Sequence, residues 1–423
     1  MSMTAILLVC TFGGLAVIGV PFAIALGMSV IVAILAADME PAFLAQQLVA
    51  GSQSFSLLAV PLFILAGGLM SVGGISDRLI ALSKAFVGHR TGGLAMVAVI
   101  AAMIFAAISG SAPATTAAIG SIVIPAMIGS GYGAAFATAI TVSAGVLGPL
   151  IPPSIAFVIW GMIAEQSISK LFLAGIIPGL TIAAGLLVIC FVHAKRHAIP
   201  RLDPAGWGEA FRALWDGRWA LFSPILILGG IYGGIFTPTE AAGVSCVYAL
   251  FVGLFIERKL TLRSLLPIAL DSLKMSSMVL AIMVVSTGFG VIVAQEQLAV
   301  KFATYLTESV SEKWLVLLLL NVAFFLLAAV MDEVAIMVIL GPLLIAISNS
   351  LGVDPIQFGA VIVTNVAIGM AAPPIGYCLF VGMAISGLKL GQISRAIWPQ
   401  ILLMLAVLML TTYIPQFSTF LVN

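Results

Sequence analysis

Charge is what this 423-residue sequence has least of. Lys and Arg number 17 and Asp and Glu 16, so only 8% of residues are charged and the net charge is +1. A soluble domain carries about 25%, because its surface has to be hydrated. With 62% of residues hydrophobic, lipid is the solvent for most of this chain. The scarcity excludes a soluble enzyme, a disordered chain and a nucleic-acid binder. No strand-length alternation of apolar and polar residues recurs, which argues against a β-barrel. Cysteine is also sparse: Cys10, Cys190, Cys246 and Cys378 all lie in apolar segments and form no CxxC pair, so they read as small buried hydrophobes. The three histidines, His89, His193 and His197, sit beside Arg or Lys at segment ends and read as interfacial. There is no P-loop, no HExxH and no GxSxG, and no His or Lys lies inside a clear span. A motor ATPase and an intramembrane hydrolase are therefore not expected. The first twenty residues lack a basic n-region and a small-residue cleavage site, so they read as a first span rather than a signal peptide.

What is present is a repeat. Gly131, Gly148, Pro152, Pro153, Gly161 and Pro178 recur as Gly352, Gly369, Pro373, Pro374, Gly382 and Pro399, all at one offset of 221, and Gly67 and Gly288 keep it. Pro21 and Pro238, and Pro125 and Pro342, fit an offset of 217, which a four-residue loop difference would explain. The chain divides into halves 1–200 and 218–423, joined by a cytoplasmic linker 201–217. Each half begins with two apolar stretches meeting at a Pro, followed by one span (55–72, 276–293) and a mixed-polarity stretch (73–93, 294–313). Next come a hairpin (94–128, 314–347), a span broken by Gly and Pro-Pro (131–165, 354–386) and a last span. The stretches 73–93, 257–275 and 294–313 read as amphipathic interfacial helices.

If the hairpins are re-entrant, each half crosses the membrane an odd number of times and the second half is inverted. All basic residues except Lys170, Lys301 and Lys313 then fall on one side, fourteen of the 17. The positive-inside rule makes that side cytoplasmic and both termini periplasmic. The expected fold is an all-α polytopic membrane protein of two inverted repeats, with ten spans, two re-entrant hairpins and broken helices. Inverted repeats with broken helices mark secondary transporters. Unpaired backbone at membrane depth survives only where protein or a water-filled cavity satisfies it.

The chemistry-bearing residues cluster at these interruptions. Ser109-Gly110-Ser111 lies at the middle of the first hairpin, where hydroxyls and freed carbonyls offer hard oxygen donors suited to Na⁺. Close helix packing by small residues is the competing reading. The second hairpin carries Asp332 and Glu333, expensive in an apolar segment and usually functional there. With the 217 offset, Asp332 stands opposite Thr115. Its roles remain open among cation ligand, acceptor holding the tip and proton carrier. Glu240, just past a Pro turn, reads as a helix cap. Thr138, Thr141 and Ser143 precede the first break, Thr364 and Asn365 the second. Half-helices beginning at Pro153 and Pro374 would present N-termini to an anion.

These residues carry a resemblance. The stretch ISGSAPATTAAIGSIVIPAMIGSGYGAAFATAITVSAGVLGPLIPPSIA at 108–156 is similar to the large membrane subunit (M subunit) of tripartite ATP-independent periplasmic (TRAP) transporters. PLFILAGGLMS at 61–71, FTPTEAAGV at 236–244 and TNVAIGMAAPPIGY at 364–377 resemble the same family. The resemblance covers essentially the whole chain. It implies an elevator-type fold of the ion-transporter superfamily in the bacterial inner membrane. It implies Na⁺-driven import of an organic anion such as a dicarboxylate or sialic acid. It also implies two partners, a small membrane subunit (Q subunit) and a periplasmic substrate-binding protein (P subunit). Carried onto matching positions, it assigns Na⁺ to Ser109, Ser111, Gly148, Ile151 and Pro153, and to Asp332, Gly369, Ala372 and Pro373. Candidate anion-binding residues are Gly110, Thr141, Ser143, Pro152, Thr364, Asn365 and Pro374. Two other readings stay open: a stand-alone anion transporter or antiporter without a binding protein, and a non-transporting membrane scaffold.

Overall fold

A computed structural model describes residues 2–37, 40–53, 55–199, 201, 206–310 and 312–422, so part of the linker 201–217 lies outside the described residues. The described chain is helical throughout. Its first half runs α1 (Met3–Val17), α2 (Phe22–Ala36), α3 (Pro41–Ser52), α4 (Ala59–Val72), α5 (Ile75–Val87), α6 (Gly93–Ser109), α7 (Ala112–Gly129), α8 (Ala134–Gly145), α9 (Ile155–Ile163) and α10 (Ile168–Arg196). A short α11 (Trp207–Asp216) leads to the second half. That half runs α12 (Arg218–Tyr232), α13 (Pro238–Phe251), α14 (Leu262–Gln295), α15 (Leu298–Ser309), α16 (Lys313–Ala328) and α17 (Glu333–Ser350). It ends with α18 (Pro355–Gly369), α19 (Tyr377–Ser386), α20 (Leu390–Tyr413) and α21 (Pro415–Thr419).

Among the described residues, seven helical stretches are long and apolar enough to cross a membrane, the hairpin arms α7 and α17 included. Others are shorter. The 15 residues of α1, α2 and α12 rise about 22 Å, less than the roughly 30 Å of a hydrocarbon core. Local signals set the ends. Thr237 and Glu240 close a capping box at the start of α13, with the Thr237 N–H donating to Glu240 Oε2 at 2.8 Å. Glu240 thus caps the helix start as its position suggests, as the N3 partner of the N-cap Thr237.

Three sequence expectations change. First, 257–275 and 276–293 are not separate elements. From Leu262 they form one 34-residue helix, α14, because nothing between them breaks the backbone ladder; Pro267 falls in its second turn. Second, the half-helices start at Ile155 and Tyr377, after N-caps Ser154 and Gly376, not at Pro153 and Pro374. Both Pro-Pro bonds are cis and lie inside the breaks. Third, α7 and α17 are both 18 residues long, and their first residues, Ala112 and Glu333, keep the offset of 221. Asp332 therefore matches Ser111, the N-cap position of each helix, and not Thr115. Pro125 and Pro342 sit one turn apart within equivalent helices. A cap fixes where a helix starts, whereas an interior Pro fixes only a local kink.

The interior belongs to the hairpins and breaks, and the two halves pack into each other there. A Cβ at Gly120 on α7 would meet Ile385 of α19 at 3.1 Å, and one at Gly341 on α17 would meet Ile163 at the end of α9. One at Gly359 on α18 would lie 2.7 Å from Trp160 of α9, and one at Gly382 on α19 would lie 2.7 Å from Val142 of α8. Each half's broken helix thus packs on the other half's hairpin and broken helix. Around this core, α1 pairs with α2, α4 with α13, and α14 with α2, α3 and α4. At one end, Arg78 Nε of α5 lies 3.0 Å from both oxygens of the buried Glu257 carboxylate, and Lys259 pairs with Asp77. These pairs tie α5 to the turn after α13.

Candidate functional site

The first hairpin turns at Gly110, whose φ of +64° is left-handed and favours Gly. The turn meets the first break directly. The Ile155 N–H donates to Gly110 O at 3.3 Å, and a Cβ at Gly110 would lie 2.7 Å from Pro153 O. A Cβ at Gly148 would fall 2.5 Å from the carbonyl carbon and oxygen of Ser111. Tip and break are in backbone contact, and only residues without side chains permit it. Ser109 Oγ and Thr115 Oγ1 are 2.7 Å apart, and Thr115 Oγ1 donates to Ser111 O at 2.8 Å. Thr115 therefore braces the tip, a role the sequence did not single out. Ile151 packs its side chain on Gly179 of α10. Thr141 is less available, since its hydroxyl donates to Ala137 O at 2.8 Å. The whole first break, 146–154, is buried.

The second tip and break repeat the contact with different residues. The Gly376 N–H donates to Ala329 O at 3.0 Å; at the repeat offset, Gly376 is the counterpart of Ile155. A Cβ at Gly369 would sit 2.8 Å from the Ala328 carbonyl carbon. Asp332 is the N-cap of α17, with its Oδ2 accepting from Val334 N at 3.0 Å, so the acceptor role holding the tip is realised. Ala372 is buried, with its N–H on Gly369 O at 2.9 Å. Pro373 is half-buried and Pro374 exposed, beside Ile375 at 38% and Tyr377 at 58% exposure. The second break is thus open on one face where the first is closed.

Among the described residues, three buried hydroxyls have no hydrogen-bond partner, Ser83 Oγ on α5 and, beside the breaks, Ser143 Oγ and Thr364 Oγ1; Glu333 Oε2 is in the same state. Ser143 and Thr364 correspond at the repeat offset, and each precedes its break glycine, Gly148 or Gly369, by the same spacing. An unpaired buried hydroxyl costs about 1–3 kcal/mol, so two at matching positions point to a ligand. The donor set is hydroxyls and carbonyls beside broken backbone, and this fits a hard cation. No group of three or more His, Cys, Asp or Glu gathers among the described residues.

Asn365 faces a different set of partners. Its Nδ2 donates to Asn321 O at 2.9 Å and Oδ1 at 3.0 Å, and Asn321 Nδ2 donates to Thr412 Oγ1 at 2.9 Å. Gln357 Nε2 reaches Thr412 O at 2.9 Å. This chain joins α18, α16 and α20. The first-half counterparts of Asn365, Asn321 and Gln357 at the repeat offset are Ala144, Ile100 and Phe136, so the first half has no such chain. A cleft of about 530 Å³, not foreseen from the sequence, lies where Ser56, Gly161, Gln166, Ser286, Thr287 and Val338 converge. These residues come from four distant segments, and no local spacing marks them.

Comparison with known proteins follows the same outline. Residues 8–417 match the family described as tripartite ATP-independent periplasmic transporter, DctM component. The chain is 41% identical over 414 residues to the isethionate TRAP transporter permease protein DctMQ of Oleidesulfovibrio alaskensis, covering 96% of this chain and 64% of that protein. It therefore spans just under two thirds of that relative's length. It is also 41% identical over 380 residues to the C4-dicarboxylate TRAP transporter large permease protein DctM of Pseudomonas aeruginosa, covering 90% and 89% of the two chains. Among solved structures, the YdaH transporter of Alcanivorax borkumensis superposes with a TM-score of 0.63 at 17% identity, over 87% of each chain. At that identity the likeness is one of fold.

Proposed function

The chain belongs to the DctM component family of tripartite ATP-independent periplasmic transporters, and from that premise we propose that it is the large subunit of a Na⁺-coupled importer of a small organic anion. The observation that carries the coupling is the pair of buried, partnerless hydroxyls, Ser143 and Thr364, at matching positions ahead of the two breaks. Na⁺ supplies positive charge at the site when bound. The protein supplies oxygens: Ser109, Ser111, Ser143 and the carbonyls of Gly148, Ile151 and Pro153 at the first tip and break. At the second it supplies Thr364, Asp332 and the carbonyls of Gly369, Ala372 and Pro373. The anion lies between the tips and the Pro-Pro breaks, near Gly110, Pro152, Asn365 and Pro374. No Arg lies at either break, so bound cations and helix N-termini supply its counter-charge.

The two similar relatives are named for isethionate and for C4-dicarboxylates, a sulfonate and a carboxylate, which supports the class of small organic anion. We read the halves as inverted repeats, with α6 to α9 and α16 to α19 moving as a body against a frame of α1, α2, α4, α12, α13 and α14. The interlocked packing of the two breaks supports a single moving body. The positive-inside count supports an inner-membrane protein with both termini periplasmic. A small membrane subunit and a periplasmic binding protein complete the machine. The DctMQ name of a relative longer than this chain supports the former.

The test is anion uptake in proteoliposomes holding this chain with its small subunit. An inward Na⁺ gradient and the binding protein should both be required. Uptake at full rate in K⁺ would overturn the coupling, and uptake without the binding protein would favour a stand-alone carrier.

A further inference from the structure

We propose that the corner between α5 and α6 and the end of α10 form a binding site for one anionic phospholipid. A cleft of about 710 Å³ opens there, with Arg90 and Arg201 at its rim, His89 beside them, and Leu187, Val188 and Phe191 along its wall. None of the lining residues is acidic. What sets the two arginines apart is their place together on one cleft with an apolar wall and no acidic lining residue. Like most basic residues of the chain, and unlike Arg78, Lys259 and Lys274, they have no carboxylate partner among the described residues, so both charges are open to a ligand. His89 Nδ1 is buried and also lacks a partner. Three nitrogen-bearing side chains thus line one cleft with no carboxylate among its described lining residues.

The wall identifies the ligand. Val188 and Phe191 are 61% and 44% exposed and face the cleft from α10. Val188, Phe191 and Lys195 fall on one helical face at i, i+3 and i+7, so the apolar face of α10 runs out into a further cation. Free phosphate gains nothing from such a wall. A lipid gains twice, its phosphate at the arginines and an acyl chain along Leu187 to Phe191; basic pockets at helix ends bind lipid headgroups in this way. The cleft is also pre-formed. The corner is held by Arg90 N–H on Val87 O at 3.0 Å and Gly93 N–H on Arg90 O at 2.8 Å. A Cβ at Gly92 would lie 2.7 Å from Cys190 O, so the corner sits directly on α10. A lipid seated here bridges the start of the first hairpin to α10, some distance along the chain from the residues placed at the ion and anion sites.

The experiment is native mass spectrometry and thermal unfolding of the full chain, titrated with phosphatidylglycerol, with phosphatidylcholine, or with inorganic phosphate in phosphatidylcholine. The wild-type chain should retain one phosphatidylglycerol and gain thermal stability from it, with neither of the other two acting alike. Arg90→Gln/Arg201→Gln should weaken that lipid about thirtyfold, which corresponds to about 2 kcal/mol, at about 1 kcal/mol per basic residue near a lipid headgroup. Val188→Trp, which fills the wall and keeps both charges, should weaken it as well. Arg258→Gln/Arg263→Gln, equally basic and elsewhere, should leave it unchanged. Equal retention by wild type and the Arg90/Arg201 variant overturns the proposal. So does equal loss in the Arg258/Arg263 variant, or the same stabilisation from inorganic phosphate.

Discussion

Ser143 and Thr364 occupy corresponding positions in the two halves, and each buries a hydroxyl that no described residue satisfies. If they were structural, removing the hydroxyl would relieve an unsatisfied group worth about 1–3 kcal/mol. Ser143→Ala and Thr364→Val should therefore be neutral or stabilising in Na⁺-free buffer. Both should lose most of the thermal stabilisation that added Na⁺ gives the wild type. Unfolding temperatures measured with and without Na⁺ separate the two effects. Equal Na⁺ stabilisation in wild type and variants would remove both residues from the ion sites.

Gly148 and Gly369 allow each break to touch its hairpin tip through backbone atoms. Backbone cannot step aside as a flexible side chain can. Gly148→Ala and Gly369→Ala should each cost about 1–3 kcal/mol, the usual range for overpacking, and should abolish most uptake. Uptake at the wild-type rate with either Ala would mean that the tip and break separate during transport more widely than this structure has them.

Asp332 has a structural duty that its neighbours in sequence do not reveal, capping α17 through Val334 N–H. Asn caps as well as Asp, whereas Ala costs about 1 kcal/mol. Asp332→Asn should therefore fold with wild-type stability. Reduced Na⁺ affinity in uptake for the Asn variant would assign its charge to the ion. A loss seen only with Ala would leave it as a cap.

Asn321 and Asn365 carry the hydrogen-bond chain that only the second half has. Leu at either position strands the other's amide. The two substitutions should couple in a double-mutant cycle by about 0.6–1.7 kcal/mol, as interhelical hydrogen bonds in membranes do. Unfolding by a denaturing detergent measures this. Strict additivity would mean that the chain contributes no stability.

The sequence by itself determined the solvent, the hairpins, the broken helices and the positions of the tips. Each rests on local chemistry: apolar runs too long for water, Gly and Pro that cannot continue a helix, and hydroxyls or carboxylates too costly in lipid. It also marked Ser143 and Thr364 through the repeat offset. It misread the register at Asp332, because two prolines one turn apart mimic a shifted repeat while the caps Ser111 and Asp332 set the true one. It divided α14 at a change of polarity, although polarity alone does not interrupt the backbone ladder. The tertiary structure alone decided which halves interlock, that Thr115 braces the first tip, and that the first break is sealed while the second is open. It alone brought together Asn365, Asn321 and Thr412, and the cleft under Arg90 and Arg201. Those facts depend on contacts between residues far apart along the chain, set by which helix faces meet, and no spacing along the chain encodes them.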